Sequence, residues 1–521
     1  MELTMLVRKG AQQFADRPAV ICGDGVQTYG RLHERACRFA GALGALGVTP
    51  GERVMTLSDN GAETIEHMVG IALGGFVRSA AYTHNSPESN LYLLNLVEAV
   101  CLVVQRRHYD GIAPLLADCP SLRHVIVFDG EAPEGTTDYE TALAAAAPVD
   151  PGTAPDRDAA HVVRFSAGTT GKPKGVLHTS ARWTAVGNEM ALVMPRLTPD
   201  DRYLAAGPLS HAAMLPMWPV LAAGGAVVVM PAFHPERFLD LLEEHRCTVT
   251  FLVPTMIQMI VRTPGVHDRD VSSLRVLIYG AAPISEQTLA EADAVWGPVM
   301  YQMYGQSEGV PLTVLRPEDH VADPADPRHR LLRSAGRPTP SSEITIVDEA
   351  GATLPVGEVG EIAARSPTVM EGIWRDADAT AQRLLPDGRL LTRDMGYLDA
   401  DGYLFLADRK EDLIISGGFN IWPAELENAL ASHPAVAEAA VVGVAHEKWG
   451  ETPHAAVVLR DGHSATETEL VDWTRERLGA VKRVTAVAFV DELPKTPIGK
   501  VLRRVVREQL LAGDPQPVAG A

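Results

Sequence analysis

Ser166-Ala-Gly-Thr-Thr-Gly-Lys-Pro-Lys-Gly175 follows the apolar-edged run His161-Val-Val-Arg-Phe165 and leads into Val176-Leu177, the pattern of a loop set between two strand-like segments. Its glycines, Gly168, Gly171 and Gly175, let the backbone turn tightly and bring N–H groups close to a ligand. Ser166, Thr169 and Thr170 add hydroxyl donors, and Lys172 and Lys174 add positive charge. Such a loop suits a polyphosphate. It departs from the Walker pattern, which wants four residues between its glycines, because Gly168 and Gly171 enclose only Thr169 and Thr170. Taken alone, the stretch is equally consistent with a Gly/Lys surface turn.

Outward from this loop, strand-like apolar runs at 53–57, 101–104, 124–128, 226–230, 248–253 and 276–279 alternate with amphipathic stretches such as 238–245 and 286–295. That alternation predicts an α/β fold with mainly parallel sheets flanked by helices. Residues 130–155, rich in Ala, Pro and acidic side chains, read as a surface excursion. After about residue 330 the texture changes to short strand-like runs separated by Gly and Asp turns, which predicts a small β-rich subdomain over about 330–410. A fresh α/β segment starts near Asp412. The expected organisation is a large N-terminal domain over 1–410 and a small α/β domain over 411–521.

The 521 residues carry a formal charge of −20, with 46% apolar and 21% charged side chains. This is a globular composition, and its charge argues against a nucleic-acid or anionic-membrane surface. The longest stretch free of Asp, Glu, Lys and Arg, residues 203–235, is interrupted by Pro and Gly. It reads as a loop, a helix around 212–223 and a buried strand, not as a membrane span. Cys22, Cys37, Cys101, Cys119 and Cys247 are scattered, which fits a reduced cytoplasmic protein and predicts no metal site.

Further motifs lie downstream. Tyr304-Gly-Gln-Ser-Glu308 puts an aromatic face, a tight glycine, a hydroxyl and a carboxylate within five residues; the ring suits stacking on a purine and the carboxylate suits Mg2+. Gly280-Ala281-Ala282 ends an apolar strand in small residues, where a flat ring can lie against backbone. In Leu391-Thr-Arg-Asp394, Asp394 can accept ribose hydroxyls, and Arg409 can donate to the same sugar. Pro494-Lys-Thr-Pro-Ile-Gly-Lys500 presents a lysine that suits charge at a reacting phosphate. Each, by itself, is also an ordinary turn, hairpin or basic tail.

Together and in this order, the motifs resemble those of the acyl-adenylate-forming superfamily, most closely its acyl-CoA synthetases, over nearly the whole chain. Met370-Glu-Gly-Ile-Trp374 and Ile415-Ser-Gly-Gly-Phe-Asn-Ile-Trp-Pro-Ala-Glu-Leu-Glu427 add to the resemblance. It implies that ATP and a carboxylic acid form an acyl-adenylate, that a small mobile domain rotates, and that the thiol of coenzyme A then takes the acyl group. By motif position, Ser166, Gly168, Thr169, Thr170, Gly171 and Lys174 would contact phosphates. Tyr304 and Gly305, with Gly280, Ala281 and Ala282, would hold adenine. Ser307 would touch the α-phosphate, Glu308 would ligate Mg2+, and Asp394 and Arg409 would hold the ribose. Lys500 would serve adenylation, and Gly418 would let the pantetheine arm pass. Pro208-Leu-Ser-His211 resembles the motif whose histidine lies near the acyl carboxylate. Ala212, Ala213, Met214, Leu215, Met217 and Trp218 beside it predict a hydrophobic acid.

Against the family pattern, Ala167 stands where Ser, Thr or Gly is usual, Arg393 for the glycine of Thr-Gly-Asp, Glu411 for a commoner hinge residue, and Trp422 for a smaller side chain. The expected activity is that of an AMP-forming acyl-CoA ligase. The alternatives are loading of a carrier-protein phosphopantetheine, or specialisation for thiolation of a preformed acyl-adenylate.

Overall fold

The computed structural model describes residues 3–153, 156–166, 173–409, 412, 414–416, 419–446, 449–479, 482–495 and 501–513, with backbone only at 408, 409, 415, 419 and 420. Two compact units emerge. The first comprises residues 1–281, 290–344 and 364–390; the second comprises 282–289, 345–363 and 391–521.

Two large sheets make up the first unit. Among the described residues, one has nine strands in the order Arg337–Pro338, Gly309–Leu315, Met300–Gln306, Val276–Gly280, Val249–Leu252, Arg202–Ala205, Ala226–Val229, Pro18–Cys22 and Gly25–Thr28. Its centre is parallel. Strands such as Ala226–Val229 and Val249–Leu252 are buried along their whole length, as continuous apolar runs covered on both faces must be. The second sheet has eight strands among the described residues. Lys174–Thr179 and Ala160–Ser166 lie toward one edge, followed by Val77–Ala80, Arg53–Leu57, Cys101–Gln105 and His124–Phe128. Helices begin where side chains satisfy their first N–H groups: Thr28 caps Tyr29–Ala45, and Ser86, followed by Pro87, caps Pro87–Val97.

Two expectations are corrected. Residues 130–155 are not a mere surface excursion, because helix Tyr139–Ala145 buries Tyr139 and Leu143. The Tyr139 hydroxyl donates to Glu66 at 2.8 Å, and its ring packs against Phe39, His67 and Phe128. The helix expected around 212–223 is divided into a 3-10 turn, Ala212–Met214, and a helix, Met217–Ala222. Pro216 stands between them; Leu215 and Pro216 keep helical dihedral angles, but proline has no N–H to continue the hydrogen-bond ladder.

A four-stranded sheet, Glu343–Val347, Gly360–Arg365, Leu390–Leu398 and Leu404–Arg409, places most of its residues in the second unit. The C-terminal α/β part is built on the long hairpin Val436–His446 and Gly450–Leu459, with Ala486–Phe489 added in parallel. Helix Glu467–Leu478 starts with a full capping box between Thr466 and Glu469. The fold is thus mixed α/β, with parallel sheets in the N-terminal part, a small β-rich part and a C-terminal α/β part. No helix among the described residues is long and apolar enough to cross a membrane.

Candidate active site

The two strands that flank the Gly-rich segment pair with each other. Ala160–Ser166 runs antiparallel to Lys174–Thr179, with Ser166 opposite Lys174. The register therefore brings these two together at the neck of the segment. Gly168, Thr169, Thr170 and Gly171 lie outside the described residues. Glycine is required at position 175, where a Cβ would press on Val163 at 2.9 Å and on Trp374 at 3.0 Å. The Lys174 ammonium is 3.6 Å from Asp376 and partly exposed, so solvent screens that pair.

Tyr304 and Gly305 lie within strand Met300–Gln306 and not in a loop. The strand pairs with Gly309–Leu315, and the register shifts between Tyr304 and Gln306. Gly305 permits this, since a Cβ there would meet Gly309 O at 2.8 Å. Tyr304 is buried. Gly280 lies opposite Met303 on the neighbouring strand, where a Cβ would overlap the Met303 carbonyl oxygen. Ala281 takes φ +69°, a left-handed conformation that costs a non-glycine residue energy.

Ser307 and Glu308 follow in a turn pinned from three sides. His178 Nε2 donates to Ser307 O at 2.8 Å, and Met370 N donates to Glu308 O at 2.7 Å. The Arg383 guanidinium pairs with Glu308 Oε1 at 3.1 Å. Ser307 Oγ lies 3.4 Å from the Phe165 carbonyl oxygen, and the Tyr82 hydroxyl lies 3.4 Å from the same oxygen. Tyr82 in turn packs on His211, ring centroids 4.2 Å apart and planes tilted by 35°. His211 Nδ1 is 2.9 Å from Ser210 Oγ. Burial, then Arg164 and His84, push His211 down to about 4, so its imidazole is neutral at pH 7. Ala213, Met214, Leu215, Met217 and Trp218 are buried in the core with Trp183 and Met303, and Ala212 packs against it.

The remaining sites lie in the second unit or beyond the described residues. Asp394 and Arg409 are partners in the antiparallel pairing of Leu390–Leu398 with Leu404–Arg409. Arg393, beside Asp394, takes φ +62°, and its N–H donates to Glu361 at 3.0 Å. Ala282 belongs to the second unit. Lys500, Gly418 and Glu411 lie outside the described residues. Trp422 immediately precedes helix Pro423–Ala431 and its side chain makes no capping hydrogen bond.

Several members of this neighbourhood carry no motif. Arg383 comes from 75 positions beyond Glu308, and Tyr82 from 83 positions before Phe165; nothing in their local sequence marks them. Arg164 did leave a signal, as a charge inside the apolar run before Ser166. Elsewhere, Cys37 Sγ lies 3.5 Å from His33 Nε2, which is 3.2 Å from Asp150 Oδ2. These three have metal-ligating side chains, a grouping invisible in the linear spacing of the cysteines. Arg8 already holds Asp150 through two bonds of 2.7 Å.

Residues 7–374 match the AMP-binding enzyme family, and residues 425–500 match the AMP-binding enzyme C-terminal domain. The chain is 34% identical to the medium/long-chain-fatty-acid–CoA ligase FadD8 of Mycobacterium tuberculosis, over 96% of this chain and 88% of that protein. It is 36% identical to a feruloyl-CoA synthase of Amycolatopsis sp, over 94% and 95%. Among solved structures, the anthranilate CoA ligase AuaEII in complex with anthranoyl-AMP superposes with a TM-score of 0.89 at 25% identity, covering 98% of each chain.

Proposed function

The chain belongs to the AMP-binding enzyme family, and its CoA-ligase relatives mark it as an AMP-forming acid–thiol ligase with ATP and coenzyme A as substrates; from that premise we propose how its residues divide the work. A carboxylic acid with a largely apolar body attacks the α-phosphorus of ATP through a carboxylate oxygen, and pyrophosphate leaves. The thiol sulfur of coenzyme A then attacks the acyl carbon, and AMP leaves. The observation that carries this reading is the convergence on Phe165. Its carbonyl oxygen lies against both Tyr82, whose ring packs at a tilt on His211, and Ser307 of the Tyr304–Glu308 segment, and Ser166 follows it in the chain. One peptide thus links the acid side to the phosphate side.

In this reading Ser166 and Lys174, with Gly168, Thr169, Thr170 and Gly171 between them, grip the β- and γ-phosphates. Tyr304 and Gly305, with Gly280, Ala281 and Ala282, receive adenine, and Ser307 donates to the α-phosphate. Asp394 and Arg409 bind the ribose hydroxyls. His211, neutral at pH 7, lies beside the acid's carboxylate without adding charge. Lys500 bridges carboxylate and α-phosphate, favouring in-line attack by position and charge. Gly418 passes the pantetheine arm when a domain over 411–521 turns against one over 1–410. Glu308 fits Mg2+: Arg383 engages Oε1, and the carboxylate's second oxygen is the hard donor such an ion takes. Mg2+ there would offset the charge of the triphosphate. The unpaired cysteines support a reducing compartment such as the cytoplasm.

ATP–pyrophosphate exchange and acyl-CoA formation, measured over a panel of acids, test the proposal. Exchange and thioester formation with the same acid are expected, and Lys500→Ala should cut exchange by about 10²-fold or more. Transfer to CoA from a synthetic acyl-adenylate without exchange on any acid would mean a thiolation enzyme instead. Transfer only to a carrier-protein phosphopantetheine would overturn CoA as the acceptor.

A further inference from the structure

Among the described residues, two arginines inside the first unit, the buried Arg78 and the half-buried Arg164, make no ion pair with a carboxylate. Arg78, on strand Val77–Ala80, lies opposite Val162 in the parallel pairing with Ala160–Ser166. Arg164 is two residues further along that second strand, so both side chains leave the same face of the sheet. Arg78 is only 7% exposed, and its Nη2 donates to Met214 Sδ at 3.0 Å, a weak acceptor. Arg164 Nη1 is buried with no hydrogen-bond partner, and the guanidinium stands 5.9 Å from the centre of the Trp183 ring.

Burial lowers both groups, Arg78 to about 10 with Arg164 as a second cause; a guanidinium is so strong a base that it keeps its charge in proteins. The carboxylate that acts on Arg164, Glu308, is already paired with Arg383. Met214 and Trp183, the side chains these two arginines touch, belong to one core cluster with Leu209 and Ala213. The pair therefore lies against the 208–218 segment read above as the acid's side, and Tyr82, which packs at a tilt on His211, feels the charge of both arginines. Two like charges held in apolar surroundings are costly unless an anion joins them. The reacting carboxylate, once bound, offsets only one.

Resting on the ligase reading, we propose that the acid this chain activates carries a second anionic group, a carboxylate or sulfonate on an otherwise apolar body, which Arg164 and Arg78 bind. Arginine suits the task, since its planar fork matches an oxyanion and stays charged when buried. The apolar neighbours account for the body of the acid, and the guanidiniums for its far end.

Matched acids test this: 3-phenylpropanoate against 3-(4-carboxyphenyl)propanoate, and octanoate against 8-sulfooctanoate. The full chain, assayed for AMP release with CoA, is expected to prefer the doubly anionic member by about 10²-fold in kcat/KM. Arg164→Met and Arg78→Met should bring that ratio close to one, and Arg164→Lys should restore part of it. Preference for the singly charged member, or equal losses on both members with a raised KM for ATP, would overturn the proposal; turnover of singly charged acids would at the same time uphold the ligase reading. Thermal shift of the unaltered protein by the same pairs needs neither turnover nor a folded variant. A larger shift by the doubly anionic acids is expected, and equal shifts would overturn the second-anion site.

Discussion

Arg383 places its guanidinium 3.1 Å from Oε1 of Glu308, and both side chains are largely withdrawn from water. The same arginine reaches Gln306, so one side chain from a distant segment holds two residues of the Tyr304–Glu308 stretch. Removing one partner of such a pair strands the other charge. Arg383→Met should lower stability by about 3 kcal/mol, measured by urea unfolding. Adding Glu308→Gln should recover part of the loss, because the amide needs no counter-ion. A double variant no more stable than Arg383→Met would show that the pair contributes little.

The buried histidines set the response to acid. Burial pushes His67 and His178 down to about 3 and His320 down to about 4. Below pH 6.5 the unfolded chain takes up protons that the native protein refuses, so these groups favour folding above that pH, and stability is lost as pH falls toward 4 and 3. Each contributes a slope of up to about 1.4 kcal/mol per pH unit. Urea midpoints between pH 7 and pH 5 should fall accordingly, and flat midpoints would contradict the assignment.

His67 offers a separable test. Both ring nitrogens are buried without a hydrogen-bond partner, in a cage of Phe39, Phe128 and Tyr139. His67→Leu removes two unsatisfied polar atoms from that cage. At pH 7 it should be neutral or stabilising by about 1 kcal/mol, and it should remove one histidine's share of the acid slope.

Gly280→Ala should be costly for a backbone reason. The added methyl would overlap the Met303 carbonyl oxygen on the adjoining strand, so the two strands must part just before Tyr304. A loss of about 2 kcal/mol is expected, of the size seen for overpacked cores, with weakened ATP binding by titration calorimetry. Unchanged values for both would show that the strands yield freely.

Arg393→Gly should act in the opposite sense. Arg393 holds φ +62°, which a glycine adopts without the Cβ penalty. The substitution should raise stability by on the order of 0.5 kcal/mol, read as a higher melting temperature. Where the related motif carries Thr-Gly-Asp, this chain accepts backbone strain beside the aspartate.

The family and the alternation of strands and helices were legible in the sequence, because the Gly-rich segment, Tyr304–Glu308, Asp394 and Lys500 are local patterns. Backbone chemistry at glycines and apolar periodicity act over a few residues, and such signals survive in a linear reading. What Arg164 faces was not legible. Only the tertiary structure aligned Arg78 with Arg164 on neighbouring strands, brought Tyr82 and Ser307 to one carbonyl oxygen, and paired Arg383 with Glu308. It also buried Tyr139, which composition had assigned to the surface. Contacts of this kind join residues tens of positions apart. They are decided by which strands pair and in what register, and that choice rests on burying the whole core at once, not on the residues that make the contact.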